Sequence, residues 1–241
     1  MTGKGERSWR MRLRASMEIF VSLGFLTDGI ALGLLSPFPS LSRPLSSVPA
    51  LAAFMLCSSV LLVGLITLLL RWHGESVGSL CFGIAGRPRR EVLLGGALVP
   101  GIFLGAFLIK SAIRHLVPAM YRGERNVLEE LMRSPSDLAL FLAVALIAGG
   151  VREEMQRAFV IRRFETGWGP AWLGAALFAI FFGYGHLVQG TDEAIIAGVF
   201  GLLWGWVYVR RRNIVATSLS HGLYDGLELV RYFFWGPSRY F

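Results

Sequence analysis

The chain has 241 residues, of which 54% are hydrophobic and only 17% charged, with a formal net charge of +8; its mean hydropathy is +0.56. Soluble domains carry about one-quarter charged residues, so this composition excludes an ordinary soluble globule and points to lipid as the solvent. The positive charge does not indicate a nucleic-acid partner, because no basic patch with interleaved aromatic residues lies outside the apolar segments.

Apolar windows bounded by Pro, Gly and charged residues predict seven helices, at roughly 16–36, 50–70, 92–113, 137–163, 171–188, 193–209 and 213–232. Each is close to the roughly twenty residues that a helix needs to cross a bilayer core. The expected fold is an all-α, polytopic bundle forming one membrane domain over 1–241, with N-terminal helices and interfacial segments in 1–136 and the candidate catalytic core in 137–232.

The first window follows the basic residues Lys4, Arg7, Arg10, Arg12 and Arg14, as a signal peptide would. No small-x-small cleavage site follows it and more spans come after, so it reads as a retained helix. Cys57 and Cys81 are too few for a disulfide framework, lack metal-type spacing, and read as small buried hydrophobes. The weakly apolar segment 71–91 is expected at the inner interface. The polar stretch 114–136, with Glu124, Glu129, Glu130 and four arginines at helix-compatible spacing, predicts a solvated or interfacial helix. No internal repeat stands out.

Lys and Arg are retained on the cytoplasmic side during insertion. With the N-terminus inside, the inner segments hold the five N-terminal cations, Arg71, Arg87, Arg89, Arg90, Arg162, Arg163 and Arg210 to Arg212. The outer segments hold Arg43, Lys110, Arg114, Arg122, Arg125, Arg133, Arg231 and Arg239, which makes fourteen against eight. The expectation is an N-inside, C-outside protein of a bacterial cytoplasmic membrane.

Ionisable residues inside such spans cost at least about 2.5–3.5 kcal/mol on insertion scales and usually mark function. They occur here at Asp28, at Arg152-Glu153-Glu154 with Arg157, at His186, and at His221 with Asp225. Glu153 and His221 each lie nine residues from a cytoplasmic arginine, Arg162 and Arg212 respectively, which puts both about 14 Å above that level. His186 is sixteen residues after the Gly167–Pro170 turn and Glu153 fourteen before it, a mismatch of only about 3 Å. The three can therefore meet near mid-membrane if their helices are neighbours. The four-residue spacings Glu153/Arg157, Phe182/His186 and His221/Asp225 each define one helix face, and pairing of Glu153 with Arg157 is expected. Gly183 and Gly185 thin the surface beside His186. Asp28 has no partner visible in the sequence. A packing network without chemistry explains any one of these residues but is a poorer account of all of them at one depth.

At these residues the chain resembles the CAAX protease and bacteriocin-processing family, intramembrane glutamate proteases that include the Ras-converting endopeptidase. The family pattern is Glu-Glu-x-x-x-Arg, then Phe-x-x-x-His, then His-x-x-x-Asn/Asp, each on its own helix. The second motif stands here as Phe182-Gly183-Tyr184-Gly185-His186 and the third as His221-Gly222-Leu223-Tyr224-Asp225. The first reads Arg152-Glu153-Glu154-Met155-Gln156-Arg157, one residue short. Aligning on Arg157 puts Arg152 and Glu153 on the glutamate pair, and aligning on the glutamates puts Ala158 at the arginine. Glu153 stays in the pair either way, which makes it the first choice for the base and Glu154 the second. The similarity runs through about 140–230, and the stretch Glu75 to Gly83 also looks like the family's approach to its core.

The resemblance implies an intramembrane endopeptidase without a cofactor, acting on a membrane-associated peptide or protein, prenylated or not. Glu153 would activate water with help from His186, and His221 would donate to the oxyanion. Arg157 and Phe182 would support the site. Asp225 as a carboxylate only accepts hydrogen bonds, so it is expected to orient His221. Zinc held by Glu153, His186 and His221 is the chemical alternative, although no His-Glu-x-x-His occurs. A non-catalytic scaffold or immunity-type protein, and a proton-coupled transporter, are the other function classes.

Overall fold

The computed structural model describes residues 2–83, 88–121 and 126–236, with side chains from Trp9 onward. Arg87, Arg122, Glu124, Arg125 and Arg239, and the side chains of Lys4 and Arg7, lie outside the described residues. The helices are α1 (Thr2–Ser22), α2 (Phe25–Leu35), α3 (Val48–Trp72), the short α4 (Val77–Cys81), α5 (Pro88–Leu116), α6 (Pro135–Val144), a π-helical segment (Ala145–Glu153), α7 (Glu154–Gly167), α8 (Ala171–Gly185), α9 (Thr191–Arg211) and α10 (Val215–Trp235). Among the described residues Trp9–Leu35, Val48–Trp72, Pro88–Leu116 and Thr191–Arg211 are long and apolar enough to cross a membrane. The chain is an all-helical, polytopic integral membrane protein, and its rods follow the seven predicted windows in order.

The differences from the predicted windows have local causes. The first span is broken at Gly24, whose φ of 103° puts it in the left-handed region before α2. The polar stretch 114–136 does not form the expected helix among its described residues. α5 ends at Leu116, the residue Val117 before Pro118 is driven out of helical geometry, and only short 3-10 turns at Pro118–Met120 and Glu129–Leu131 follow. The predicted helix over 137–163 is one continuous rod from Pro135 to Gly167, started by the Ser134 hydroxyl accepting from the Asp137 amide and interrupted by the π-helical turns. Segment 71–91 is less superficial than its composition suggests. Leu80 and Cys81 are buried, the Tyr208 hydroxyl donates to the Leu80 carbonyl at 3.0 Å, and the Ile214 amide donates to the Cys81 carbonyl at 2.8 Å.

Arginines at the end of α7 and at the end of α9 are held by carboxylates of neighbouring segments. Arg162 and Arg163 pair with Glu75 at 2.7 and 3.0 Å, and Arg163 also meets Glu18 at 3.2 Å. Arg212 forms a two-pronged bond to Glu165 at 2.6 and 2.7 Å, and Arg211 pairs with Glu91.

One of the most polar helices, α7, is enclosed over most of its length. From Glu154 to Ile161 every residue of α7 is buried, with Phe159, Ala158 and Ile161 packed among residues of α3, α4, α8 and α9. The long apolar helices stand around it, and only 22% of the most apolar window of α5 is buried against 56% for α9. Close packing of α8 on α9 depends on Gly183, where a Cβ would lie 2.7 Å from the Ala194 carbonyl oxygen, whereas one at Gly185 would meet nothing within 4 Å. Gly183→Val should therefore lower stability by about 1–3 kcal/mol, while Gly185→Val should leave it unchanged, as read by thermal unfolding in detergent.

Candidate active site

Three rods bring the predicted site residues together: the π-segment with α7, the end of α8, and α10. The π-helical turns widen the backbone spiral by one residue per turn, and such segments recur at functional sites. Gly149 and Gly150 within them admit α10. A Cβ on Gly149 would lie 2.6 Å from an Asp225 oxygen and 3.7 Å from His221 Nε2, and one on Gly150 would lie 3.1 Å from the Ser218 carbonyl.

Glu153 and Glu154 stand at the junction of the π-segment and α7, and their side chains diverge. Glu154 is 1% exposed and Arg157, one turn on, is 0% exposed; the two form a buried ion pair. The expected pairing of Glu153 with Arg157 is therefore replaced by Glu154 with Arg157. Three-residue spacing serves a helical pair as well as four, so the motif loses a residue without losing this contact. Arg157 Nε and Nη2 reach no oxygen acceptor. The guanidinium instead lies 4.9 to 5.4 Å from the ring centres of Phe182, Phe178 and Trp204, where the negative ring faces compensate a desolvated cation.

His221 is fixed on its other side by the same acid. Its Nδ1 is 2.9 Å from Glu154 Oε1, and because a carboxylate only accepts, Nδ1 carries the proton. The ring stacks on Trp204 at 4.0 Å and 20°, with the Phe182 edge at 5.8 Å. The Trp204 indole in turn donates to the Ser220 hydroxyl at 3.0 Å. This leaves His221 Nε2 facing Glu153 Oε2 at 3.8 Å and Asp225 Oδ2 at 3.5 Å. Glu154, not Asp225, thus occupies the orienting position on the imidazole.

Glu153, His186, His221 and Asp225 all line one cavity of about 480 Å³, within the range of small-ligand sites. Glu154 and Arg157 do not line it. His186 lies just past the end of α8 rather than inside the predicted helix over 171–188. There its Nδ1 sits 2.7 Å from the Phe182 carbonyl, leaving Nε2 as the nitrogen without a bond from its own helix. Zinc fares poorly, since among the described residues no group of three His, Cys, Asp or Glu side chains is placed to hold one metal ion, including Glu153, His186 and His221. Asp28 acquires the partners that the sequence left unseen, accepting from the Ser58 hydroxyl and lying 3.8 Å from Arg152.

The cavity leads outward to a polar end carrying Lys110, Glu129, Glu193, Glu228 and Arg231, and to an apolar wall of Leu51, Phe54, Met55 and Phe141. Glu193 pairs with Lys110 and Glu228 with Arg231. Burial, with the Glu193 and Glu228 carboxylates beside it, pushes the Glu129 carboxyl up to about 8. Near neutral pH this end is therefore polar with little net charge.

Trp204, Gly149, Gly150 and the Asp28–Arg152 contact escaped sequence reasoning. The glycine pair Gly149-Gly150, two residues ahead of Glu153-Glu154, is a readable signal of a close helix approach. Trp204 resembles any other aromatic in an apolar helix.

Residues 134–227 match the family model described as Rce1-like, type II CAAX prenyl endopeptidase Rce1-like. No curated protein and no solved structure matches the chain. The matched segment contains Glu153, Glu154, Arg157, Phe182, His186, His221 and Asp225 and falls on the stretch of about 140–230 that carries the resemblance, while Glu228, Leu229 and Arg231 of the cavity lie just beyond it.

Breaking the buried ion pair from one side should be far worse than removing it. Arg157→Met strands the Glu154 charge and should cost about 3–5 kcal/mol, whereas Glu154→Leu combined with Arg157→Met should recover most of that loss. Thermal unfolding of the two variants in detergent checks this order.

Proposed function

We propose that the chain is an intramembrane endopeptidase in which Glu153 activates water against a peptide bond of a membrane-associated peptide or protein. The observation that carries this reading is the division between adjacent glutamates, one paired and enclosed, the other lining a cavity beside two histidines. A packing network needs no cavity and no carboxylate left at its edge; a hydrolytic site needs both.

In the proposed reaction Glu153 takes a proton from water as the oxygen attacks the carbonyl carbon of the scissile bond. The carbonyl electrons move onto oxygen, and the oxyanion must be met by donors already aimed at it. His221 supplies one through Nε2 when both its nitrogens are protonated, with Glu154 on Nδ1 compensating that charge. Collapse of the tetrahedral species breaks the carbon–nitrogen bond, and the proton held by Glu153 passes to the departing amine. His186, lining the same cavity, holds the water or the oxyanion through Nε2.

Asp225 takes a different role from the one its sequence position suggests. Because Glu154 already orients His221, Asp225 acts at the cavity as a second hydrogen-bond partner of the oxyanion and does so only in its acid form. An amide donates without that requirement.

The apolar wall beside the polar end suits a substrate carrying both a hydrocarbon portion and a peptide, whether a lipidated C-terminus or a transmembrane segment. A bacterial cytoplasmic membrane and an N-inside orientation are the setting proposed for it.

Reconstituted protein should cleave a membrane-tethered reporter peptide. Glu153→Gln and His221→Ala should each lower kcat/KM by about 10²–10⁴-fold with the fold intact. Asp225→Asn should retain the activity that Asp225→Leu loses. Chelators should have no effect. Cleavage that survives Glu153→Gln removes the proposal, and loss on chelation restored by zinc replaces it with a metallopeptidase.

A further inference from the structure

We propose that Arg152, tethered by Asp28 of the first span, is a positioning residue that fixes the plane of the Glu153 carboxylate. This rests on Glu153 being the water-activating base. Arg152 Nη1 lies 3.4 Å from Glu153 Oε1, and His221 Nε2 lies 3.8 Å from Glu153 Oε2. Arg152 thus donates a hydrogen bond to one carboxylate oxygen, while His221 stands near the other, beyond hydrogen-bond distance. A glutamate carboxylate otherwise turns broadly about its last torsion, and a base that must present one lone pair to a water loses rate when it does so.

The guanidinium is itself held. Its other terminal nitrogen, Nη2, lies 3.8 Å from Asp28 Oδ1, and the Ser58 hydroxyl of α3 donates to that same oxygen. The chain α3, α2, Arg152, Glu153 therefore runs from two outer helices to the cavity. Gly24 makes room for it, since a Cβ there would stand 3.4 Å from Arg152 Nη2 in a backbone conformation with φ of 103°. One turn further along α7, the Gln156 amide donates to the Ser22 carbonyl at 2.6 Å, docking the same break in the first span without using a charge.

Each glutamate of the pair consequently has its own arginine. Arg157 is sealed beneath three aromatic rings, whereas the Arg152 and Glu153 side chains are 15% and 14% exposed. The charges facing Glu153 are Arg152 on its own helix and His221 and Asp225 from α10, with Asp28 reaching it only through Arg152.

The test uses the full chain in nanodiscs with the reporter peptide. Arg152→Gln should lower kcat by about 10- to 100-fold, as a displaced catalytic group does, with KM within about twofold. Arg152→Lys should recover part of the loss, because an ammonium holds one acid but does not bridge two. Millimolar guanidinium should raise the rate of Arg152→Ala, whereas equal urea should not. Asp28→Asn should lower kcat less, and not further when added to Arg152→Gln. Gln156→Ala, which loosens the same docking, should leave kcat unchanged.

An independent reading is the infrared carboxylate stretch that disappears in Glu153→Gln, which should move in Arg152→Gln and stay in Gln156→Ala. If the wild type cleaves and Arg152→Gln keeps its kcat, or if Gln156→Ala slows as much, the inference falls and the hydrolase reading stands. If the wild type cleaves nothing but the band moves with Arg152, the hydrolase reading falls and the pairing stands.

Discussion

A guanidinium sealed from solvent imposes its needs on everything near it. Arg157 has 0% exposure, and desolvating an ion on this scale costs several kcal/mol before any partner repays it. Glu154 supplies the opposite charge from one turn away, and Phe178, Phe182 and Trp204 supply ring faces where no oxygen reaches. Those rings come from α8 and α9, so satisfying one cation fixes how both helices lie against α7. The Glu154 oxygen that takes Arg157 also accepts from His221, which brings α10 to the same point. The register of four helices thus follows from one buried charge.

The cavity is what this packing leaves over. The π-helical turns before Glu153, with Gly149 and Gly150 admitting α10 at close range, turn Glu153 away from the arginine that takes its neighbour. One carboxylate becomes structural and the other faces space shared with His186, His221 and Asp225. Glu153 keeps an arginine beside it yet lines the cavity, and ionisable groups in such a position usually serve function, so the same geometry that builds the fold leaves a group poised for chemistry.

The windows of apolar residues foretold the rods because lipid demands unbroken helices of a certain length. They also carried a common depth for Glu153 and His221, by equal counts from Arg162 and Arg212, and nearly the same depth for His186, by its count from the Gly167–Pro170 turn, but not which helices are neighbours. What they did not carry is sideways direction. Whether Arg157 faces Glu153 or Glu154 turns on a π-helical segment that leaves no spacing signature, and both three- and four-residue offsets fit a helix face. Hydropathy ranks α7 and α10 low because they hold the site, and α7 is buried just where it is most polar. Asp28 found its partners through a break at Gly24 whose left-handed backbone the sequence only permits. The stretch 114–136 misled because charge spacing suggested a helix that Pro118 ends.

The division between the two glutamates is the central claim, and accessibility measures it without any assumption about substrate. Native protein in nanodiscs, treated briefly with a water-soluble carbodiimide and an amine and then mapped by mass spectrometry, should acquire the amine at Glu153 while Glu154 stays unmodified. Modification of Glu154 with Glu153 spared, or of both at equal rates, would contradict the account.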